Sequence, residues 1–227
     1  MIDGASLDQV EKSLQEESDQ ILNKIKLIPL LQKYGTVQMV GGKALGLMIA
    51  KDIDISVVVN KVSIQDWQDI VTQLMVTPRV RKVIAIDFYN YTIQHFYDPT
   101  NGEKFSLYIS VDTLMGSNND KYDTWECQIH LIEKDKFDRT KLDNIKSKLN
   151  SENRLTILRI KYWANQMNKL LLGKSNGHYK IYSPSIYEAV LDNNISTIDE
   201  FIEKYKVSVP SEYKQLFAET LQAISLN

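Results

Sequence analysis

The sequence of 227 residues has a single cysteine, few prolines and no long apolar run. A lone Cys127 excludes an internal disulfide and is typical of a protein kept in a reducing cytoplasm. No run approaches the roughly 20 apolar residues that cross a bilayer. The first residues also lack the basic-then-apolar pattern of a secretion signal. We therefore expect a cytoplasmic protein with no membrane partner.

The sequence also lacks an excess of either charge. It carries 27 Lys and Arg against 29 Asp and Glu, a formal net charge of −2. Dedicated nucleic-acid binders usually show a strong basic excess, so the composition argues against bulk nucleic acid as a partner. The length is sufficient for a sizeable core in one two-lobed unit or two small domains.

The most informative stretch runs from residue 40 to residue 55. Gly41 and Gly42 end one apolar run, and Asp52 and Asp54 stand where the next begins. On a β-strand, residues two apart point to the same face. Two adjacent carboxylates repel each other unless a cation lies between them, and Mg²⁺ prefers oxygen ligands of this kind. The spacing therefore predicts a metal site at Asp52 and Asp54.

Hydrophobic periodicity divides the chain into a mixed part and a helical part. It predicts a helix over 6–28 that Pro29 ends or kinks, and then a mixture of strands and short helices. The predicted strands are 37–40, 53–59, 80–88, 91–97, 105–112 and 125–132, and the predicted helices between them are 41–50 and 63–75. From residue 135 onward the pattern is helical, over 138–149, 152–172, 184–192 and 196–205, with a last helix from Ser211.

The run from Val40 to Ile55 resembles the signature of the nucleotidyltransferase fold superfamily. That signature is a small hydrophobic residue, Gly-Gly or Gly-Ser, a short helix, and then Asp-x-Asp in a strand. Members include DNA polymerase beta and the small bacterial lincosamide and aminoglycoside nucleotidyltransferases. The resemblance implies an α+β fold, with a mixed β-sheet core and N-terminal helix over 1–135 and a helical C-terminal lobe over 136–227.

The resemblance also implies an activity. Members transfer a nucleoside monophosphate from a nucleoside triphosphate such as ATP to a hydroxyl group, with Mg²⁺ or Mn²⁺. Asp52 and Asp54 would bind the metal. Gly41 and Gly42 would let backbone N–H groups approach the triphosphate at a helix start, and Lys43 would add a positive charge. The modest net charge favours a small molecule or a protein as the acceptor.

The third carboxylate that the family usually supplies from a later strand is ambiguous here. In the strand 125–132, Gln128 stands where the family has Asp. Gln cannot act as a base, although its carbonyl oxygen can bind a cation. Asp112, which ends the preceding predicted strand, is the main carboxylate alternative and Asp87 is a weaker one. His130 shares the face of Gln128 as a candidate ligand or base.

A locally basic segment runs from residue 134 to residue 161. Arg154, Lys161 and Asn165 fall close to one helical face, and we take Lys161 as a candidate triphosphate contact. Two rival functions stay open at this point. Gln128 is consistent with a degenerate member that binds a nucleotide or a protein without catalysis. The fold also includes the toxin component of toxin–antitoxin pairs.

Overall fold

A computed structural model of the chain describes residues 4–87, 103–112, 124–171 and 181–205. The described helices are α1 Gly4–Lys24, α2 Leu27–Leu31, α3 Gly41–Leu45, α4 Ile64–Met75, α5 Thr140–Lys148, α6 Ser151–Leu171, α7 Ser183–Leu191 and α8 Ile198–Tyr205. The described strands are β1 Thr36–Val40, β2 Asp52–Val59, β3 Val80–Asp87, β4 Glu103–Asp112 and β5 Thr124–Glu133. The predicted strand 91–97 and the predicted last helix lie outside the described residues.

The five strands form one mixed sheet in the order β1-β2-β5-β4-β3. The central pair, β2 and β5, is parallel, whereas β1–β2, β4–β5 and β3–β4 are antiparallel. Along β2, Ile53 and Ile55 are buried while Asp52 is exposed and Asp54 is half-buried, the alternation expected of a strand with one covered face. The predicted α+β fold with a mixed sheet is confirmed.

Two helix boundaries differ from the prediction. The helix predicted over 6–28 ends at Lys24, and Lys26 adopts a left-handed conformation (φ 52) before α2 begins. Pro29 therefore does not end the helix; it lies in the first turn of α2, where a missing N–H is tolerated. The helix predicted over 41–50 ends at Leu45, because Gly46 turns left-handed (φ 66).

The chain divides into two compact units. The sheet unit consists of Leu14–Gly46 and Lys51–Leu142, and the helical unit consists of Met1–Ser13, Leu47–Ala50 and Asp143–Asn227. The resemblance implied one boundary, between residues 135 and 136, and that boundary stays a prediction.

In the sheet unit, Glu17 of α1 contacts residues at the N-terminal ends of β2 and β5. Its Oε1 accepts a hydrogen bond from Nε1 of the fully buried Trp125 at 2.9 Å. The same oxygen lies 3.1 Å from the ammonium of Lys51, the residue before β2. Trp125 is the second residue of β5. The carboxylate of Glu17 therefore links α1 to the N-terminal ends of the neighbouring strands β2 and β5.

The helical unit has its own apolar core. Trp163 of α6 packs edge-on against Phe201 of α8, with ring centroids 6.3 Å apart. Arg154 of α6 forms ion pairs with Asp8 and with the buried Glu11, the latter at 3.1 Å.

Among the helices that the structure describes, none combines the length and the apolar character needed to span a bilayer.

Candidate metal and nucleotide site

The pairing of β2 with β5 brings the predicted acidic pair beside a second polar pair. In the parallel register, Asp52 lies opposite Glu126 and Asp54 lies opposite Gln128. Residues paired across neighbouring strands point to the same face of a sheet. The structure therefore places Asp52, Asp54, Glu126 and Gln128 together on one face, and Asp52 and Asp54 side by side as predicted.

Glu126 is a candidate site residue that the sequence did not indicate. It lies between two fully buried residues, Trp125 and Cys127, and is itself half-buried. Asp52 and Asp54 were predicted from their spacing of two after the Gly-Gly pair, and Glu126 has no second carboxylate at that spacing. The resemblance to the family indicated position 128 for the third carboxylate, where this chain has Gln.

The buried thiol of Cys127 reports the combined field of these carboxylates. Burial raises the pKa of Cys127 to about 12, and the negative charges of Asp52, Glu126 and Asp54 add to the shift. Cys127 itself belongs to the covered face of β5, and the three carboxylates belong to the opposite face. The negative potential on this part of the sheet is favourable for a cation.

Gly41 is fitted against the carboxylate of Asp54. Gly41 has a left-handed backbone (φ 59), and Val40 before it pairs with Asp54 across β1 and β2. A Cβ atom at Gly41 would lie 1.9 Å from Oδ2 of Asp54, far inside van der Waals contact. Glycine is therefore required here on two grounds, and the first glycine of the predicted motif positions the second carboxylate. Gly42 follows as the second residue of α3.

Lys43, predicted to meet the triphosphate, is held by α1 in this structure. Its ammonium donates to Ser18 Oγ at 2.6 Å and to Asp19 Oδ1 at 2.7 Å, and it also reaches Gln15 Oε1 at 3.3 Å. Its side chain is only 9 % exposed. These contacts assign Lys43 a role in holding α3 to α1, and a phosphate contact stays a prediction.

Lys161 lies in the helical unit and is 7 % exposed. Its ammonium donates to the carbonyl oxygen of Leu47 at 2.7 Å and to the hydroxyl of Tyr187 at 3.2 Å. It also lies 5.4 Å from the centroid of the Tyr187 ring, within the range of a cation–π contact. Lys161 thus ties α6 to α7 and to the segment before β2, and its predicted triphosphate contact is untested.

The remaining candidates lie on β3, β4 and β5. Asp87 ends β3 and pairs with Phe105 of β4. Asp112 ends β4 and pairs with Thr124, two residues before Glu126; its side chain lies outside the described residues. His130 is 8 % exposed and pairs with the buried Ser56 of β2. Burial lowers the pKa of His130 to about 4, so its imidazole is neutral at pH 7.

The donor chemistry of this face suits Mg²⁺ or Mn²⁺. Across the described residues, no three His, Cys, Asp or Glu side chains are arranged to enclose a metal ion. Mg²⁺ is, however, usually held by one or two carboxylates together with water and substrate phosphates. Asp52 and Asp54 supply two carboxylates on one face, and Glu126 lies next to Asp52. The residues therefore fit an ion that is completed by a phosphate-bearing ligand.

Solved structures with a similar fold are nucleotidyltransferases. The RNA terminal uridylyl transferase Cid1 superposes with a TM-score of 0.52 at 17 % identity, covering 81 % of this chain and 48 % of Cid1. A mutant of the Cid1 poly(U) polymerase bound to MgATP gives a TM-score of 0.54 at 15 % identity, covering 81 % of this chain and 51 % of that one. The MgGTP-bound form gives 0.51 at 15 % identity, covering 79 % and 50 %.

These similarities show that the chain has the nucleotidyltransferase fold, as the Gly-Gly and Asp-x-Asp signature predicted. The chain spans about half the length of these solved structures. No protein-family model matches the sequence, and no curated protein matches it.

The contact between Gly41 and Asp54 leads to a first prediction. Gly41→Ala would strain a left-handed backbone, at a cost of about 1–2 kcal/mol, and would also push the Asp54 carboxylate out of place. We expect a lower melting temperature together with weaker Mn²⁺ binding, measured by thermal unfolding and calorimetry. Gly46→Ala, at a second left-handed glycine (φ 66), controls for backbone strain. Equal losses of metal binding in the two variants would contradict the assigned contact.

The buried His130 predicts a dependence of stability on pH. The pKa of His130 falls from 6.5 to about 4 on folding. Below pH 6.5, therefore, the imidazole binds a proton in the unfolded chain but stays neutral in the folded chain. Stability is unaffected above that pH and falls as the pH drops from 6.5 towards 4, by up to roughly 3 kcal/mol. Urea unfolding of wild type and His130→Gln between pH 7 and 4.5 measures this. Parallel stability profiles would show that His130 does not titrate as expected.

Proposed function

We propose that this chain, which has the nucleotidyltransferase fold, transfers a nucleoside monophosphate from a nucleoside triphosphate to a hydroxyl group of an acceptor. The observation that carries the proposal is the β2–β5 register, which places Asp52, Asp54 and Glu126 on one face. The backbone of Gly41 supports Asp54 from the adjoining turn. Clustered carboxylates of this kind are costly unless they hold a cation.

Asp52 and Asp54 would hold Mg²⁺ or Mn²⁺ together with the triphosphate oxygens. When bound, the ion supplies positive charge that offsets the negative charge on the α-phosphate and the leaving pyrophosphate. Gly42 leaves the backbone free of a side chain near the start of α3, so a phosphate can approach it closely, while Gly41 leaves room for the carboxylate of Asp54. In this scheme the protein binds, orients and neutralises rather than forming a covalent intermediate.

Glu126 would take the proton of the acceptor hydroxyl. It is a carboxylate beside Asp52 on the same face, whereas the neutral amide of Gln128 has no basic site. General-base help of this kind contributes about 10²–10⁴ in rate. Glu126 therefore becomes our first candidate for the third carboxylate, ahead of Asp112, which stays the alternative.

The donor and the acceptor are proposed on different grounds. The solved structures with this fold include forms of Cid1 bound to MgATP and MgGTP, which supports a nucleoside triphosphate as the donor. Cid1 is described as acting on RNA. For this chain the net charge of −2 favours a small-molecule or protein hydroxyl as the acceptor.

Ligand-dependent stabilisation tests the binding half of the proposal. A ligand that binds only the native state stabilises it by about 2.7 kcal/mol at 100 times its dissociation constant. We expect ATP with Mg²⁺ to raise the melting temperature of the wild type. The double variant Asp52→Asn, Asp54→Asn should lose most of that shift, while Asp135→Asn, an exposed carboxylate on the loop after β5, should keep it. An undiminished shift in the double variant would place the nucleotide elsewhere.

Three single variants assign the third position. We expect Glu126→Gln to lower pyrophosphate release about 10²–10⁴-fold while nucleotide binding persists. Gln128→Asp should tighten metal binding, since it adds a carboxylate beside Asp54. Full activity in Glu126→Gln combined with its loss in Asp112→Asn would assign the general-base role to Asp112.

Nucleotide binding by wild type with no pyrophosphate release for any acceptor would favour the rival function, a degenerate member that binds a nucleotide without catalysis. The neutral Gln128 beside Asp54 supports that rival.

A further inference from the structure

The sheet unit contains a concave feature, which we call the basic cleft. It is about 530 Å³ in volume and lies between the α1–α2 junction and the turn that follows α4. Its lining includes four cations, Lys24, Lys26, Lys33 and Arg79, all exposed. Asp52 and Asp54 are not among its lining residues, so the cleft is distinct from the candidate metal site.

The cleft concentrates one sign of charge in a chain that has little net charge. None of its lining residues is acidic, although the whole sequence has 29 acidic residues against 27 basic ones. The ammonium of Lys33 reaches the neutral amide oxygen of Gln73 at 3.4 Å. A patch of one sign on a nearly neutral protein attracts partners of the opposite charge.

Two of the cations occupy backbone positions that favour glycine. Val80 N donates to the carbonyl oxygen of Thr77 at 3.2 Å, which closes a turn with Pro78 in second place and Arg79 (φ 74) in third. In such a turn the third residue needs a positive φ and is normally Gly or Asn.

Lys26 (φ 52) occupies the left-handed position after α1, where Gly or Asn is again the usual choice. A cation at the end of a helix can be explained by the helix dipole, and that explanation suffices for Lys24. It does not explain why strained positions on two separate segments both carry cations that line one cleft. Conformational strain of this kind is concentrated at functional positions.

The floor of the cleft is apolar. Ile25 is buried there, and Leu30 and Pro29 lie beside it. Met75 and Val76, which precede the lining residue Thr77 in the chain, are 69 % and 78 % exposed. No aromatic side chain lines the cleft, so it has no platform on which the bases of a single-stranded nucleic acid could stack.

We propose that the basic cleft binds an acidic peptide segment of a protein partner. Carboxylates of the segment meet the four cations at the rim, and one or two of its apolar side chains cover Leu30 and the neighbouring prolines. The apolar floor distinguishes this occupant from a phosphodiester backbone, which presents charge but needs no apolar surface. The proposal does not depend on nucleotide transfer.

A peptide display experiment tests the proposal. The full chain is immobilised and panned against a library of random peptides, and the enriched peptides are synthesised and their affinities measured by fluorescence polarisation. We expect peptides that combine several Asp or Glu residues with at least one large apolar residue. Because the contacts are partly electrostatic, their affinity should fall as the salt concentration rises.

Three double variants provide the comparison. Lys24→Glu with Lys33→Glu reverses charge at the last residue of α1 and in the turn after α2, and it should weaken the binding of the enriched peptides by about tenfold or more. Lys61→Glu with Lys141→Glu makes the same charge change at exposed positions outside the cleft and should have little effect. Lys26→Gly with Arg79→Gly suits the left-handed backbone, so it should preserve the melting temperature while weakening the peptides.

Several outcomes would overturn the proposal. Enriched peptides without acidic residues, or no enrichment at all, would show that the cleft does not select this chemistry. Equal affinities for the rim variant and its control would place binding elsewhere. An oligouridylate that binds more tightly than the best peptide, and is lost in the same rim variant, would assign the cleft to nucleic acid instead.

Discussion

The parallel pairing of β2 with β5 is the constraint on which the candidate site depends. It joins segments more than seventy residues apart in the sequence and sets Asp52 level with Glu126 and Asp54 level with Gln128. A shift of the register by one residue would turn the polar side chains of one strand towards the covered face. The register is protected against that shift because Ile53, Ile55, Cys127 and Ile129 are all fully buried. The hydrophobic core and the acidic face are therefore two consequences of one alignment.

Helix α1 holds the strand pair β2–β5 and the short helix α3 through polar contacts. Glu17 anchors α1 through Trp125 and Lys51, and Lys43 fastens α3 to the same helix through Ser18 and Asp19. Both ends of the Gly-Gly and Asp-x-Asp segment are thus tied to α1 by partly buried polar contacts. A charge-assisted hydrogen bond to a buried group is costly to break. The loop that carries the glycines is consequently held in a fixed position, as a site that orients a phosphate requires.

Local patterns were sufficient to predict the strands around the acidic pair and most helices, because alternation and helical periodicity are properties of short segments; the mixed sheet was predicted from the resemblance of residues 40–55 to the nucleotidyltransferase signature. They were insufficient where a distant partner decides the outcome. Glu126 becomes significant only when β5 lies beside β2, a pairing that no short-range pattern encodes. Lys43 and Lys161 have long side chains whose hydrogen-bond partners are supplied by tertiary structure. The end of α1 was missed because Lys26 adopts a conformation that usually needs glycine, while Pro29 was assigned a helix-ending role that its first-turn position does not require.

Cys127 gives the central strand pair a chemical reporter. Its thiol is fully buried, and its raised pKa keeps it protonated near neutral pH; alkylating reagents attack the thiolate. In the folded chain the thiol is therefore protected twice, by exclusion of the reagent and by suppression of the reactive form. Since it is the only cysteine in the sequence, its rate of alkylation reports how often this one buried position opens to solvent. The protein thus carries an internal probe of the covered face of β5, without the introduction of any label.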